Sequence, residues 1–582
     1  MAENKNEKYR DLSKDDLLKV IEKLESRKKY GLIWDEEKVK EQFEKDSVNA
    51  LPILKEIKGK EIKTKPDEPI NILIEGDNYH ALSVLNFTHQ GKVDVIYIDP
   101  PYNTGNKDFT YNDDYVDAED EFRHSKWLSF ISKRLRLSKT LLNSSGIIFI
   151  SINDIEIAQL KMLCDEIFNE RNFLANLVWQ NKEGGGSSDS KHFRIKHEYI
   201  LVYSKNKDSC FIEGDDISNL DRYKLKDKYE KIRGPFYLQK LGMGSIQYSS
   251  SLDYEIMSPD GKKIEPKDNN NGKRACWRWS KEKLKWGIEN DFIVFKKDSK
   301  DIWQVYTKQY LNCDNEGNEI ERVQRPFGVV DLFSSTQAAK ELRDMDINGF
   351  SYPKPRKLIS YLISKHPKNN AVVLDFMAGT GTTGHAVLDL NNKDNGSRSF
   401  ILCTDNELNG IGSELAKKFP DKDREQFGIC KRVCYPRIEK AVKGYKNLND
   451  EKVVGLGGNL KYFKTRFVKK TINKDDMKIK LTRECTEMLC IREGVFDEKE
   501  KTVDYAIFEQ NGRIMAVYYS IERKGLKELK KEMDKMKGEK TLYCFTLDPL
   551  GLDKSDFANW KDTQLEPIPQ KILEVYEEIY EY

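Results

Sequence analysis

The chain has 582 residues, 38% of them hydrophobic and 34% charged, a size that calls for about two to four domains and a composition that excludes a protein made of membrane spans. Its 99 basic and 97 acidic residues leave a formal charge of +2, so the average gives no case for a polyanionic partner and any such contact must come from local patches. The 10 cysteines form no Cys-x-x-Cys pair, the closest being Cys430/Cys434 and Cys485/Cys490. Reduced thiols are therefore expected rather than a zinc site, and no metal ligand set is assigned. The amino-terminal segment has no apolar signal core, and a cytoplasmic protein is expected.

Residues 1–65 read as a charged helical arm, with Leu17, Leu18, Ile21 and Leu24 at helical spacing. Such a stripe packs on the body of the protein or on a second copy. Over 66–180 strands and helices alternate: a strand at 72–76 ending at Asp77, a helix at 78–87, a strand at 93–98, a helix at 121–142, a strand at 146–152 and a helix to 167. That alternation predicts a doubly wound, mostly parallel α/β sheet. Near 183 the pattern breaks at a glycine and serine loop, followed by a basic cluster of Lys191, His192, Arg194, Lys196 and His197. A strand at 197–203 follows, and then periodicity is poor to about residue 330. Four of the 8 tryptophans lie between Trp277 and Trp303. Alternation returns over 371–404, and 446–582 reads as a small α+β domain. The expected division is thus 1–65, 66–180, an insertion at 181–335, 336–445 and 446–582.

The strand at 93–98 ends in Asp99-Pro100-Pro101-Tyr102. Two prolines fix φ and remove two backbone donors, so the chain leaves the sheet as a stiff loop. The loop offers a carboxylate, carbonyls and an aromatic ring at the carboxyl edge of the sheet, where open α/β sheets bind ligands. A carboxylate accepts from an amino group and a ring stacks on a base, which suits a nucleobase drawn out of its helix. Taken alone, the tetrapeptide also reads as an ordinary strand-to-loop turn.

A second strand runs into Asp375-Phe376-Met377-Ala378-Gly379-Thr380-Gly381-Thr382-Thr383-Gly384, with a helix starting near Thr382. Gly379 and Gly381 let backbone approach a ligand closely, and the helix start offers free N–H groups. A dinucleotide fingerprint is a poor match, because Gly384 falls one position early, and no Walker lysine follows. About thirty residues on, the strand ending at Thr404 leads to Asp405, placed to accept from ribose hydroxyls in preference to Glu407. Asp77 is a candidate cofactor contact or a plain helix cap.

Together these motifs resemble the DNA amino-methyltransferases that use S-adenosylmethionine. Asp99 to Tyr102 is similar to their catalytic motif, and 376–381 to their Phe-x-Gly-x-Gly cofactor motif. The catalytic motif comes first, the order of the β group. The stretches 30–34, 74–82, 99–105, 197–203, 350–355, 435–438 and 459–464 extend the resemblance to type III restriction-modification methylation (Mod) subunits. The resemblance implies a Rossmann-like methyltransferase sheet. It also implies methyl transfer from S-adenosylmethionine to N6 of a flipped adenine in double-stranded DNA, with cytosine N4 the usual target of Ser-Pro-Pro-Tyr enzymes. Catalytic roles fall on Asp99, Pro100, Pro101 and Tyr102. Cofactor contacts fall on Asp375, Phe376, Gly379, Thr380, Gly381, Thr382, Asp405 and Asp77, and on Lys354, which matches a motif lining the methionine end. The insertion at 181–335 would read the target, with Lys191, Arg194, Lys196, Lys273, Arg274 and Arg278 as DNA contacts and Trp277 and Trp279 packing or stacking. Members pair as homodimers with a separate helicase-nuclease subunit. The alternatives are a stand-alone regulatory methyltransferase, a silent DNA-binding scaffold, and an RNA or protein substrate.

Overall fold

The computed structural model describes residues 13–14, 16–19, 32, 34 and 50–580, except 67, 106–109, 112–113, 118, 183–191, 218, 244–247, 267–274, 349, 351–352, 409, 472 and 549–550. The chain divides into two compact units, one formed by 1–212 with 327–582 and a smaller one by 213–326.

The larger unit is built on a ten-stranded sheet. Its strands are β1 (Ala50–Glu56), β2 (Ile70–Glu75), β3 (Val93–Ile98), β4 (Leu142–Ile152), β5 (Phe173–Gln180), β6 (His197–Ser204), β7 (Val329–Val330), β8 (Val372–Asp375), β9 (Ser399–Thr404) and β10 (Asn459–Lys469). They lie in the order β1-β10-β2-β9-β8-β3-β4-β6-β5-β7. From β10 to β4 every neighbouring pair is parallel, whereas β1 and β6 run antiparallel to their neighbours. The residues of β3 are all buried, as a strand covered on both faces of a parallel sheet must be. Ile96 and Ile98 enter one core with α1 (Asn78–Thr88), α2 (Arg123–Leu141) and α3 (Ile157–Cys164). Val95 and Tyr97 enter the other with α4 (Ser335–Asp344), α5 (Arg356–Ile363), α6 (Thr382–Asp394) and α7 (Tyr435–Lys443). Helices on both faces make the sheet doubly wound, as the alternation predicts.

At the centre β8 pairs with β3, Val373 opposite Val95 and Leu374 opposite Ile96. The Asp94 carboxylate fastens the junction by accepting from the Val372 amide at 2.9 Å and Lys368 Nζ at 2.6 Å. The chain leaves β8 toward β9 and leaves β3 toward β4, on the other side. This divergence opens a crevice at the carboxyl ends of the two strands, the usual ligand position in such folds.

The structure moves several of the expected boundaries. β1 lies within the span read as a helical arm. Pro52 disguises it, and an edge strand is where proline is tolerated. Of the helical stripe, Leu17 and Leu18 are helical, while Ile21 and Leu24 fall outside the described residues. β5 and β6 flank the boundary at 181 yet pair along their length, so the smaller unit is narrower than the insertion read at 181–335. β10, inside the span read as a separate carboxyl-terminal domain, is inserted between β1 and β2. Its sequence mixes lysines with aromatics because one end is buried and the other exposed. The rest of that span forms a five-stranded sheet from 497–501, 505–510, 513–518, 539–545 and 563–568. It shares a hydrophobic core with β1 and α1, and the Tyr576 hydroxyl donates to the Pro52 carbonyl. The smaller unit holds a three-stranded antiparallel sheet of 236–240, 303–310 and 293–297 around Trp277, Trp279, Phe292 and Tyr310. Among the described residues no helix is long and apolar enough to cross a membrane.

Candidate active site

The Asp-Pro-Pro-Tyr loop leaves β3 beside the glycine loop that leaves β8. Trp127 Nε1 of α2 donates to the Pro101 carbonyl at 2.7 Å, pinning the loop to the core. Asn103 follows with φ 57°, and its Nδ2 donates to the buried Glu156 carboxylate at 2.6 Å. The loop is thus anchored at Pro101 and Asn103, with Tyr102 between the anchors and Asp99 between the end of β3 and the first of them.

Asp99 accepts from Lys354 Nζ at 2.8 and 2.9 Å, one distance to each oxygen. The same ammonium lies 3.4 Å from Glu198 Oε2 and 4.8 Å from the Tyr102 ring centroid. The Tyr102 hydroxyl donates to Glu198 Oε2 at 2.8 Å, and Asn181 Nδ2 donates to Glu198 Oε1 at 2.7 Å. Burial pushes the Asp99 carboxyl above its ordinary range, against the pull of Lys354. Burial lowers Lys354, but Asp99 and Glu198 together outweigh it and hold the ammonium above its ordinary value. Burial, reinforced by Asp99 and Glu198, raises Tyr102 well above its ordinary value, so its ring stays a neutral phenol. Lys354, expected at the methionine end of the cofactor, has its ammonium on Asp99 of the Asp-Pro-Pro-Tyr loop.

The glycine loop is organised from beneath. Asp375 accepts from the Met377 amide at 3.0 Å and from the Thr383 hydroxyl, and burial pushes its carboxyl up to about 7. Arg437 of α7, 0% exposed, donates to Thr382 Oγ1 at 2.6 Å, Thr380 Oγ1 at 3.3 Å and Glu341 Oε2 at 2.8 Å. Arg356 reaches the same Glu341 at 2.6 Å and Asp389 at 2.7 Å. The side chains of Asp375, Thr380 and Thr382 therefore brace the loop rather than face the crevice. Phe376 is fully buried in the core under the sheet, so its ring is unavailable to a ligand. Counted back from Gly379 and Gly381, the Phe-x-Gly-x-Gly spacing puts half-buried Met377 rather than Phe376 at its first position.

What the loop can offer a cofactor is backbone. Gly379 has φ 46°, and a side chain there would meet only the Met377 carbonyl at 3.9 Å, so the loop borders open space. Asp405 is exposed at the end of β9, next to β8 in the sheet. A carboxylate, open glycine backbone and the free amides of a helix start fit the ribose hydroxyls and amino-acid carboxylate of S-adenosylmethionine. Asp77 caps α1, accepting from Tyr79 and His80 amides at 2.8 and 3.2 Å, with Arg134 at 3.4 Å from its other oxygen. The cap reading is the one its geometry supports. Gly381 has φ 74°, and a Cβ there would sit 3.0 Å from Cys434 Sγ. Gly381→Ala is expected to cost about 1–3 kcal/mol, read as a lower thermal unfolding midpoint.

A family model described as DNA methylase matches residues 93–421, which is more than half of the chain and includes both loops. The chain belongs to this DNA methylase family. The EcoPI Mod subunit of a type III restriction-modification enzyme, from Escherichia phage P1, is 33% identical over 381 residues, covering 58% of each chain. The type II methyltransferase M.KpnI of Klebsiella pneumoniae is 33% identical over 357 residues, covering 57% of this chain and 79% of its own. The solved PvuII DNA methyltransferase, cytosine-N4-specific, aligns with a TM-score of 0.32 at 12% identity, covering 67% of this chain and 96% of its own. The chain spans 58% and 52% of the length of two of the Mod subunits it matches.

The DNA contacts expected of this methylase fare unequally. Lys191, Lys273 and Arg274 lie outside the described residues. Arg194 is exposed and Lys196 half-buried on the segment entering β6. Arg278 is half-buried and donates to the Lys240 carbonyl at 2.9 Å and Thr307 Oγ1 at 3.4 Å, so it braces the smaller unit's sheet. Trp277 and Trp279 are buried in that unit's core; they pack. Sequence reasoning missed Glu198, Arg437, Arg356 and Trp127. Glu198 and Arg437 lie in stretches that carry the family resemblance, but their partners are distant in the chain and invisible to spacing.

Proposed function

We propose that this methylase transfers a methyl group from S-adenosylmethionine to N6 of an adenine flipped out of double-stranded DNA. The observation that carries the reading is the parallel pairing of β8 with β3, which delivers the Asp-Pro-Pro-Tyr loop and the glycine loop to one sheet edge. The bound sulfonium supplies an electrophilic methyl group. Tyr102 stacks on the extruded base and offsets part of the few kcal/mol that unstacking costs. Asp99 and a proline carbonyl accept from the exocyclic amino group, keeping electron density on nitrogen and aiming its lone pair. Trp127 already occupies the Pro101 carbonyl, which favours Pro100 as that acceptor. Asp rather than Ser at position 99 favours adenine over cytosine N4.

The insertion between the two loops is the natural target reader, with Arg194 and Lys196 at its entrance. Likeness to Mod subunits supports a homodimeric modification subunit of a type III system, acting in the cytoplasm with a helicase-nuclease subunit. The larger share of M.KpnI that is matched supports a second reading, a modification enzyme acting without such a partner. A helicase-nuclease gene beside this one favours the first and its absence the second. Tritiated methyl transfer assayed in parallel on DNA, RNA and protein is expected to label DNA alone. Methylome sequencing of a host with and without the gene is then expected to show N6-methyladenine at one sequence. Label on RNA or protein, or N4-methylcytosine, would correct the reading.

A further inference from the structure

We infer that Glu198 is a positioning residue of the methyl-transfer site, serving as the standing counter-ion of Lys354 and the anchor of the Tyr102 ring; this rests on the methyltransferase reading above. β6 runs antiparallel to β4, with Tyr199 opposite Ile152. Its first residues therefore reach the edge at which β4 and its parallel neighbour β3 end. Glu198 arrives there from outside both functional loops. It accepts from Tyr102 on the β3 loop and from Asn181 at the end of β5, and it faces Lys354 on the segment before α5. One carboxylate thus joins three chain segments at the point where the base is to be held.

The charges give the arrangement a purpose. Lys354 is 10% exposed and takes both oxygens of Asp99. Each Asp99 oxygen holds the ammonium and keeps a further lone pair, so it meets an incoming amino group best by turning partly away from Lys354. When it turns to the substrate, Lys354 needs another partner, because a buried unpaired ammonium is costly. Glu198 Oε2 already stands 3.4 Å away. A small shift passes the ammonium from Asp99 to Glu198 without stranding a charge. Meanwhile the Tyr102 hydroxyl, bound to the same oxygen, keeps the ring at a fixed tilt for stacking. Glu198 touches neither base nor methyl group in this account.

The test compares Glu198→Gln, Glu198→Ala, Tyr102→Phe and Tyr102→Phe/Glu198→Ala with wild type and Asp99→Ala, in steady-state methyl transfer to a DNA carrying the site found by methylome sequencing. Glutamine keeps an acceptor for Tyr102 and loses the charge, so about a 10-fold fall in kcat is expected, with KM for DNA within about twofold of wild type. Alanine loses both functions and is expected to fall about 100-fold. Tyr102→Phe keeps the stacking ring and is expected to fall only about threefold. In the Glu198→Ala background Tyr102→Phe adds nothing, because the hydroxyl has already lost its acceptor. Should the alanine variant fail to fold, the near-isosteric glutamine decides. An unimpaired Glu198→Gln, a loss confined to KM, or effects of Tyr102→Phe and Glu198→Ala that multiply overturns the inference. A wild type that transfers no methyl group to DNA overturns the underlying reading and the inference with it. An active wild type, a dead Asp99→Ala and an active Glu198→Ala overturn the inference alone.

Discussion

Asp99→Ala is expected to lower methyl transfer to DNA by at least about 10²–10³-fold while DNA affinity stays within a few-fold of wild type. The asymmetry follows from where the side chain stands. Asp99 is at the carboxyl end of β3, bonded to Lys354, whereas Arg194 is exposed on the segment entering β6. Its removal takes away the acceptor that aims the amino nitrogen and leaves phosphate contacts alone. Lys354 keeps Glu198 as a partner, so the fold survives the change. Asp99→Asn retains an acceptor and loses the charge, and is expected to fall between the two. Tritium incorporation and fluorescence anisotropy on one oligonucleotide separate the two quantities. Retained transfer by the alanine variant would refute the mechanism, and a wild type that binds DNA but transfers nothing would favour the silent scaffold.

Arg437→Met is expected to destabilise the larger unit by about 3 kcal/mol, at the low end of the 3–5 kcal/mol typical when one partner of a buried ion pair is removed. The low end applies because Arg356 remains on Glu341 and still neutralises it. The change also strips the Thr380 and Thr382 hydroxyls of their donor, so the glycine loop loses its brace. Weaker S-adenosylmethionine binding is expected alongside the lower stability, while Asp99 and Lys354 remain paired. Urea unfolding and calorimetric titration of the cofactor check both halves. A variant with unchanged stability would mean that Arg437 carries no net weight where it lies.

The Asp-Pro-Pro-Tyr segment was legible as a stiff loop at a strand end because the β-branched run before it and its two prolines follow from local chemistry. The glycine loop was legible as a loop, but the roles of its side chains were not. Asp375, Thr380 and Thr382 face inward to Thr383 and Arg437, a direction that spacing alone does not give. Phe376 was drawn in by motif identity, and its place in the sheet core answers to packing instead. Trp277 and Trp279 sat in a stretch of poor periodicity, where short strands and irregular turns hide a core from any helical or strand period. The Lys354–Asp99 pair spans 255 positions, and one sequence carries no signal for such a contact.

The pairing of β8 with β3 also governs when the protein can act. Asp94 and the Val372 amide that it holds are 278 positions apart, and β10, which completes the sheet between β1 and β2, comes later still. A nascent chain emerging at about 5–20 residues per second therefore carries the Asp-Pro-Pro-Tyr segment for many seconds before its charge partner Lys354 and the glycine loop exist. Competence then needs Lys354 and the glycine loop brought beside that segment. Any fragment truncated before residue 372 is expected to be inert, and one truncated before 459 leaves β2 with an open edge, exposed to pairing with other chains.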